Sequence, residues 1–414
     1  MRRLPVRFHD QATGELCGAR GQLQLTYEAG AAVGISLRLP PRAEPYSSDE
    51  CAAFFQNLLP EGGFREATCR RLSLPVADDF ALLSTLGSEC AGAVQLVRDA
   101  EAQPGYVPVA EPELRRWLKD AGSRPLPSEL PGLGLALSGA QDKLAIHLAD
   151  DEPYWCEHGA PTTLILKPDI VEGFNRIELS ALNELFCMQL AAATGLRVPQ
   201  TSWRFGAYAV ERFDRVRRGS ALLRLHQEDF TQLLGLPPTS KYEVTWRQCF
   251  EVVDRYVREP EAARRELIDR MFFNLLIGNG DAHGKNFGLV FGPHGAELAP
   301  GYDLLCTQIY PSLSEAFSMR IGPARRQREL TALAWQELAR DARLPLEQVK
   351  QRGVELSASV QLALRDLPSH ICAGSPALLT DVHPTRRRED FLHKLTDVII
   401  GNCKRISRSL LARA

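Results

Sequence analysis

Eight consecutive residues, Asn279-Gly280-Asp281-Ala282-His283-Gly284-Lys285-Asn286, bring a carboxylate, an imidazole, an ammonium group and two amides into one short stretch. Phosphoryl transfer needs a carboxylate to orient the attacking hydroxyl and oxygen donors to hold a divalent cation. Kinase catalytic loops meet that need with an Asp and an Asn five residues apart, which is the separation of Asp281 and Asn286. The same residue types also build ordinary polar turns, so the loop alone decides nothing. Further along, Asp303 follows a strand-like segment and offers a carboxylate where a kinase keeps its other metal ligand.

Upstream, Leu164-Ile165-Leu166-Lys167 sets a lysine at the end of an apolar strand, where an unpaired charge is costly. Glu184, in the helical pattern Ile177–Thr194, could reach back to it. A strand Lys paired with a helix Glu holds the α- and β-phosphates of ATP in kinases. A snorkelling lysine and a solvated glutamate fit these residues equally well. Leu137-Ser138-Gly139-Ala140-Gln141-Asp142-Lys143 follows Gly132 and Gly134 and has the small residues that let backbone N–H groups approach phosphate oxygens. It lacks the G-x-x-x-x-G-K-[ST] pattern and leads into a strand, which disfavours a Walker-type NTPase.

Elements must hold these residues in place. Leu23, Leu25 and Tyr27 alternate with Gln22, Gln24 and Thr26, as in a half-buried strand. Ser48 and Asp49 open an amphipathic helix through Leu59 that stops at Pro60. A short helix from Asp78 runs into Gly87, and Ala93–Val97 reads as a strand. Six prolines between 98 and 131 suit a connector. Strands at Leu144–Leu148, Leu164–Lys167 and Ala207–Val210 surround the helix Ile177–Thr194, closed by Gly195. Beyond Arg212 the pattern is mainly helical. The expected fold class is α+β, with a mixed unit at 1–100, a small α+β lobe at 128–213 and a helix-rich lobe at 214–414.

At 414 residues the chain exceeds what one core usually supports. No apolar run approaches the roughly 20 residues of a membrane helix, and the start MRRLPVRFHD lacks the apolar core of a secretory signal. A cytoplasmic location is expected. Ten cysteines without a C-x-x-C pair read as reduced core thiols. Lys and Arg total 49 against 51 Asp and Glu, so no protein-wide field for a polyanion exists. A local basic stretch at Arg386-Arg387-Arg388 is either a solvated helical face or a surface for DNA phosphates.

The order Ser138-Gly-Ala-Gln-Asp-Lys143, Lys167, Glu184, Val210-Glu-Arg-Phe-Asp-Arg215, Leu225-His-Gln-Glu-Asp229, Lys241-Tyr-Glu243, Asn279–Asn286 and Tyr302-Asp303 closely resembles HipA-type toxins. Phe55-Gln-Asn-Leu-Leu-Pro60 and Leu83-Ser-Thr-Leu-Gly87 look like the N-terminal domain of that family, so the resemblance runs nearly end to end. It implies a two-lobe protein-kinase-like fold and a serine/threonine kinase that uses ATP and Mg2+. Asp281 would position the acceptor hydroxyl, and Asn286 and Asp303 would bind the metal. Lys167, paired with Glu184, would hold phosphates. Gly139, Ala140, Gln141, Lys143 and Lys285 would line the nucleotide, and Glu211 and Phe213 would hold adenine. Ser138 would be autophosphorylated, silencing the enzyme. The resemblance further implies a helix-turn-helix antitoxin of HipB type, operator DNA reached only with that antitoxin, and an aminoacyl-tRNA synthetase as target, giving growth arrest or persistence. A small-molecule kinase of the aminoglycoside-phosphotransferase type shares the catalytic-loop spacing, and a catalytically silent co-repressor is the reading outside enzymes.

Overall fold

A computed structural model describes residues 2–19, 21–98, 102–120, 135–136, 141, 143–172, 175–219, 221–374 and 385–412. The chain forms two compact units that interleave in sequence. The first joins Met1–Arg176, Val210–Ser240 and Gly288–His294, and the second joins Ile177–Ala209, Lys241–Phe287 and Gly295–Ala414. Among the described residues, no helix is long and apolar enough to cross a membrane.

The first unit begins with an antiparallel sheet in the order Gln22–Tyr27, Gln11–Ala19, Arg2–Phe8, Val94–Leu96. Leu4, Val6, Leu16, Leu23 and Leu25 point from it into a core shared with Phe55, Leu59, Leu82 and Leu83 from the flanking helices. The helix Ser48–Gln56 starts one residue earlier than its sequence suggests, because Ser47 and Glu50 form a reciprocal capping box. Asp78 caps the helix Asp79–Leu86 through Ala81 N–H at 3.0 Å and holds Arg2 at 2.7 Å. A second sheet runs Leu164–Lys167, Leu144–Ala149, Glu152–Glu157, Gly105–Pro108, antiparallel throughout. Its last strand comes from the proline-rich stretch expected to be only a connector. Pro108 is tolerated because that strand is an edge, where a missing N–H breaks no ladder.

The expectation of helix beyond Arg212 also fails locally. Arg215–Arg218 pairs with Ala221–Arg224, and His226–Asp229 pairs with Gly288–Phe291. Apolar alternation is absent here because the buried positions are ionic: Arg215, Arg224, His226 and Glu228 are all inside.

In the second unit, the helices Trp246–Tyr256, Pro260–Ile277, Ala332–Ala342, Leu346–Ala363 and Thr385–Leu411 pack around Phe272 and Trp335, whose ring centroids lie 5.6 Å apart. Gly353 lets three of them close up, since a Cβ there would meet Leu410 at 2.6 Å and Phe272 at 2.7 Å. All nine described cysteines with described side chains are free and buried.

The charged interior of the first unit is one connected network. Glu89 Oε1 accepts from Thr162 N–H and Oγ1, both at 3.0 Å, from Arg212 Nη1 at 3.0 Å and from Arg215 Nη2 at 2.7 Å. Its Oε2 accepts from Arg224 Nη2 at 2.9 Å. Arg212 also grips Asp214 at 2.7 and 2.9 Å, and Asp214 receives the Gly92 N–H at 2.7 Å. Burial alone would push the Glu89 carboxyl up, but the guanidiniums of Arg215, Arg212 and Arg224 outweigh it and hold the group down at about 2. Its stabilising contribution is therefore complete above the ordinary carboxylate range and is lost as pH falls from there through about 2. Glu89→Gln should destabilise by about 3–5 kcal/mol at pH 7, since it strands buried guanidiniums. The deficit should narrow as pH drops below 4.5. Urea unfolding followed at pH 7 and pH 3 checks this; a loss below about 1 kcal/mol at pH 7 would show that the network contributes little.

Candidate active site

The loop around Asp281 and the segments that hold it lie in the second unit. The helix Pro260–Ile277 ends at Gly278, which has φ +74° and where a Cβ would meet Gln308 Oε1 at 2.6 Å. Only glycine combines that backbone with that space. From there a chain of amides fixes the loop. Asn274 Nδ2 donates to Arg270 O at 2.8 Å, Asn279 Nδ2 donates to Asn274 Oδ1 at 2.8 Å, and Asp281 N–H donates to Asn279 Oδ1 at 3.0 Å. Thr307 Oγ1 accepts the Gly280 N–H at 2.7 Å, and Ser318 Oγ donates to Gly280 O at 2.8 Å. The backbone around Asp281 is thus bound from three sides.

Asn286 turns back through a 3₁₀ turn, its Oδ1 accepting the His283 N–H at 3.0 Å while its Nδ2 donates to Asp303 Oδ2 at 2.7 Å. Asp303 itself has φ +60°, a left-handed conformation that Asp adopts more readily than most residues. The segment after it is clamped by Asn183, which is fully buried. The Asn183 amide donates to Cys306 O and accepts from Cys306 N–H, both at 2.9 Å, and it also reaches Tyr310 OH at 3.3 Å. Glu184, the next residue, is buried as well. The hydroxyl of Tyr208 is pushed well above its usual range, first by burial and then by the charges of Glu184 and Asp303.

The Asp281 carboxyl is pushed up to about 6, first by the protein that crowds it and then by Asp303, against the lowering effects of Lys241, Tyr242 and Ser318. One edge of it remains open to water. Tyr242 OH donates to its Oδ1 at 3.1 Å. The Asp303 carboxylate, held by the Asn286 amide, pushes the Asp281 carboxyl up, so the two form a site of concentrated negative charge.

Of the other residues singled out from the sequence, Lys285 is buried in the same 3₁₀ turn, with its carbonyl accepting from Tyr302 OH at 2.8 Å. Lys167 is buried at the end of its strand in the first unit, and Gln141 Nε2 donates beside it to Pro168 O at 3.4 Å. Lys143 is half-buried, Glu211 exposed and Phe213 half-buried. Ser138, Gly139 and Ala140 lie outside the described residues. In the second unit, Arg388 is buried, Arg387 pairs with Glu178 and Arg386 is exposed. Sequence reasoning assigned no role to Asn183, Tyr242, Asn274, Asn279 or Ser318. The polar pair Asn183-Glu184 inside an apolar helix was the one signal that could have pointed to the clamp.

Residues 4–97 match the profile described as the HipA N-terminal domain, and residues 135–363 match the HipA-like C-terminal domain. A chain in the solved Shewanella oneidensis complex of HipA, HipB and operator DNA is covered in full by 99% of this chain, with a TM-score of 0.78 at 24% identity. The fold is therefore the α+β, two-lobe, kinase-like class, with its mixed N-terminal addition and helix-rich C-terminal lobe. The Sinorhizobium fredii protein Y4mE, which carries a provisional kinase name, is 41% identical over 80% of this chain and 82% of its own length. The serine/threonine-protein kinase toxin HipA of Shewanella oneidensis is 28% identical over 66% of this chain and 67% of its own. The chain belongs to the HipA family of toxin kinases.

The raised Asp281 carboxyl carries a stability consequence. Its ionised form is disfavoured in the folded state, so the protein loses stability as pH rises from the ordinary carboxylate range through about 6. Asp281→Asn removes that penalty. Its gain at pH 7.5 should be on the order of 1 kcal/mol after solvent screening at an open carboxylate, and it should vanish below pH 4. Thermal unfolding at the two pH values checks this; an equal or lower melting temperature at pH 7.5 would contradict it. Asn183→Ala should cost about 2–3 kcal/mol by leaving the buried Cys306 N–H and C=O unpaired, measurable in the same unfolding experiment.

Proposed function

We propose that this chain is a serine/threonine protein kinase that moves the γ-phosphoryl of ATP onto a protein serine. The observation that carries the reading is the 2.7 Å bond from Asn286 Nδ2 to Asp303 Oδ2, which joins the two oxygen-bearing side chains expected at a metal, with Asp281 at the required spacing on the same loop. In this reading Asp281 orients the acceptor hydroxyl and takes its proton as the new bond to phosphorus forms and the bond from the γ-phosphorus to ADP breaks. A group pushed up to about 6 suits that task, being ionised at neutral pH yet basic enough to receive a proton. Asn286 and Asp303 would hold Mg2+, and the fit rests on charge: Asp303 pushes the Asp281 carboxyl up, a repulsion that a divalent cation relieves. When bound, the metal neutralises charge on the phosphates. Lys167 serves the phosphates, Gln141 and Lys143 flank the glycine segment at Gly139-Ala140 in sequence, Lys285 supports the loop, and Glu211 and Phe213 take the adenine. The amide chain through Asn274 and Asn279 and the Asn183 clamp hold the two acidic segments in register.

The family supplies the biology of the reading. A helix-turn-helix antitoxin of HipB type restrains the kinase in the cytoplasm, operator DNA is reached through that antitoxin, and an aminoacyl-tRNA synthetase is the candidate acceptor whose modification arrests growth. Autophosphorylation of Ser138 would end activity, because a group of roughly −1.5 to −2 charge repels nucleotide phosphates. Of the basic triplet, Arg386 is the member positioned for a phosphate backbone, being exposed while Arg387 pairs with Glu178 and Arg388 is buried.

Incubation of the purified chain with labelled ATP, Mg2+ and cell lysate tests the proposal. Label should appear on a lysate protein and on Ser138, and Asp281→Asn should abolish transfer even though it stabilises the fold. Transfer retained above about one-tenth of wild type would remove Asp281 from the chemistry, since loss of a positioned base costs roughly 100-fold or more. Asp303→Asn should instead lower transfer in a way that added Mg2+ partly restores.

A further inference from the structure

Tyr242 is a large side chain left half in water, with 51% of its surface exposed, on the open edge of the catalytic loop. Its hydroxyl donates to Asp281 Oδ1 at 3.1 Å. That bond is the one an acceptor hydroxyl must make. The rest of the segment is anchored independently of the phenol oxygen. Lys241 O accepts the Gly284 N–H at 3.1 Å, and the Tyr242 ring meets His283 edge-on, with centroids 5.2 Å apart and planes at 81°. Lys241 Nζ lies 5.2 Å from the centre of the same ring. A phenol therefore stands on the base carboxylate while its ring is braced by loop and backbone, and half of its surface is exposed.

We infer that Tyr242 is a placeholder for the acceptor: its hydroxyl occupies Asp281 until a serine hydroxyl displaces it, and its exposed ring forms a wall of the acceptor subsite. The inference rests on the phosphotransfer reading and adds to it how the acceptor is admitted. While no acceptor is bound, the phenol fills a position on Asp281 that water would otherwise take. It thereby suppresses the side reaction in which water attacks the γ-phosphorus, the bond to ADP breaks, and the proton of the water passes to Asp281. When an acceptor enters, its hydroxyl takes the bond to Oδ1 and the phenol swings toward solvent, where its own hydrogen bond is replaced by water. The cost of that exchange is small because both states of the phenol are hydrogen-bonded. Among the described residues, Asp303, Lys241, Tyr242 and Ser318 act on the Asp281 carboxyl. Of these, Tyr242 is the aromatic one, offering an apolar face to a peptide segment.

The test uses the full chain with Mg2+ and ATP, first without any acceptor protein. Tyr242→Phe keeps the ring and removes the hydroxyl. It should raise acceptor-free ADP release about tenfold or more, the rate equivalent of one hydrogen bond to a charged carboxylate, with the fold retained. With dephosphorylated casein as the probe acceptor, Tyr242→Phe should lower the KM for casein, whereas Tyr242→Ala, which removes the wall, should raise that KM. Unchanged or lower ADP release in Tyr242→Phe overturns the placeholder alone. So does mass spectrometry that finds phosphate on Tyr242 of the wild-type chain, because the phenol would then be an acceptor. Wild-type ADP release that survives Asp281→Asn in full overturns the phosphotransfer reading and the placeholder with it.

Discussion

Charge that is buried must be met by opposite charge, and the first unit is organised around that constraint. Glu89 accepts from three arginines and a threonine, and Asp214 completes the circuit by accepting from Arg212 and the backbone of Gly92. In water each of these pairs would contribute little. In the interior no member can be lost without leaving its partner uncompensated, so residues far apart in sequence, at 89, 162, 212, 214, 215 and 224, are committed to one arrangement. The Val210–Arg215 segment and the strand at Glu89-Cys90 are thereby parts of one unit, even though the profiles for the N- and C-terminal domains assign them to separate stretches.

The second unit solves a different problem, how to hold acidic groups near one another without neutralising them. Arginine could brace the loops around Asp281 and Asp303, but it would pair with those carboxylates and lower their basicity. Neutral amides are used instead. Asn183, Asn274 and Asn279 each satisfy backbone or amide groups, and Asn286 alone touches a carboxylate. The negative field is left intact for a cation and the proton affinity of Asp281 is preserved.

How much of this could be read from the sequence follows the same division. The catalytic-loop spacing, the apolar strand ending in Lys167, the helix around Glu184 and the alternation of Leu23, Leu25 and Tyr27 were legible, because each is a local pattern with a local physical cause. The strands from Arg215 to Asp229 were not, since their inward positions carry Arg, His and Glu, and an apolar period of two never appears. The strand Gly105–Pro108 was hidden by a proline whose missing N–H matters only in the middle of a sheet. The Asn183 clamp joins residues 123 positions apart, and no window of sequence contains both ends of it.

The amide scaffold also explains why the loop spacing is rigid. Asn279 faces both ways: its Nδ2 donates to Asn274 in the helix before the loop, and its Oδ1 accepts the N–H of Asp281. Asn286 repeats the device, with Oδ1 on the His283 N–H and Nδ2 on Asp303. Each asparagine spends its acceptor on the loop backbone and its donor on a neighbouring segment, a division of labour that aspartate cannot perform because it has no donor when ionised, and that serine cannot span. The positions at 279 and 286 are therefore fixed by hydrogen-bond polarity before any catalytic demand is considered, and that polarity sets the distance along the chain between Asp281 and the residue that meets Asp303.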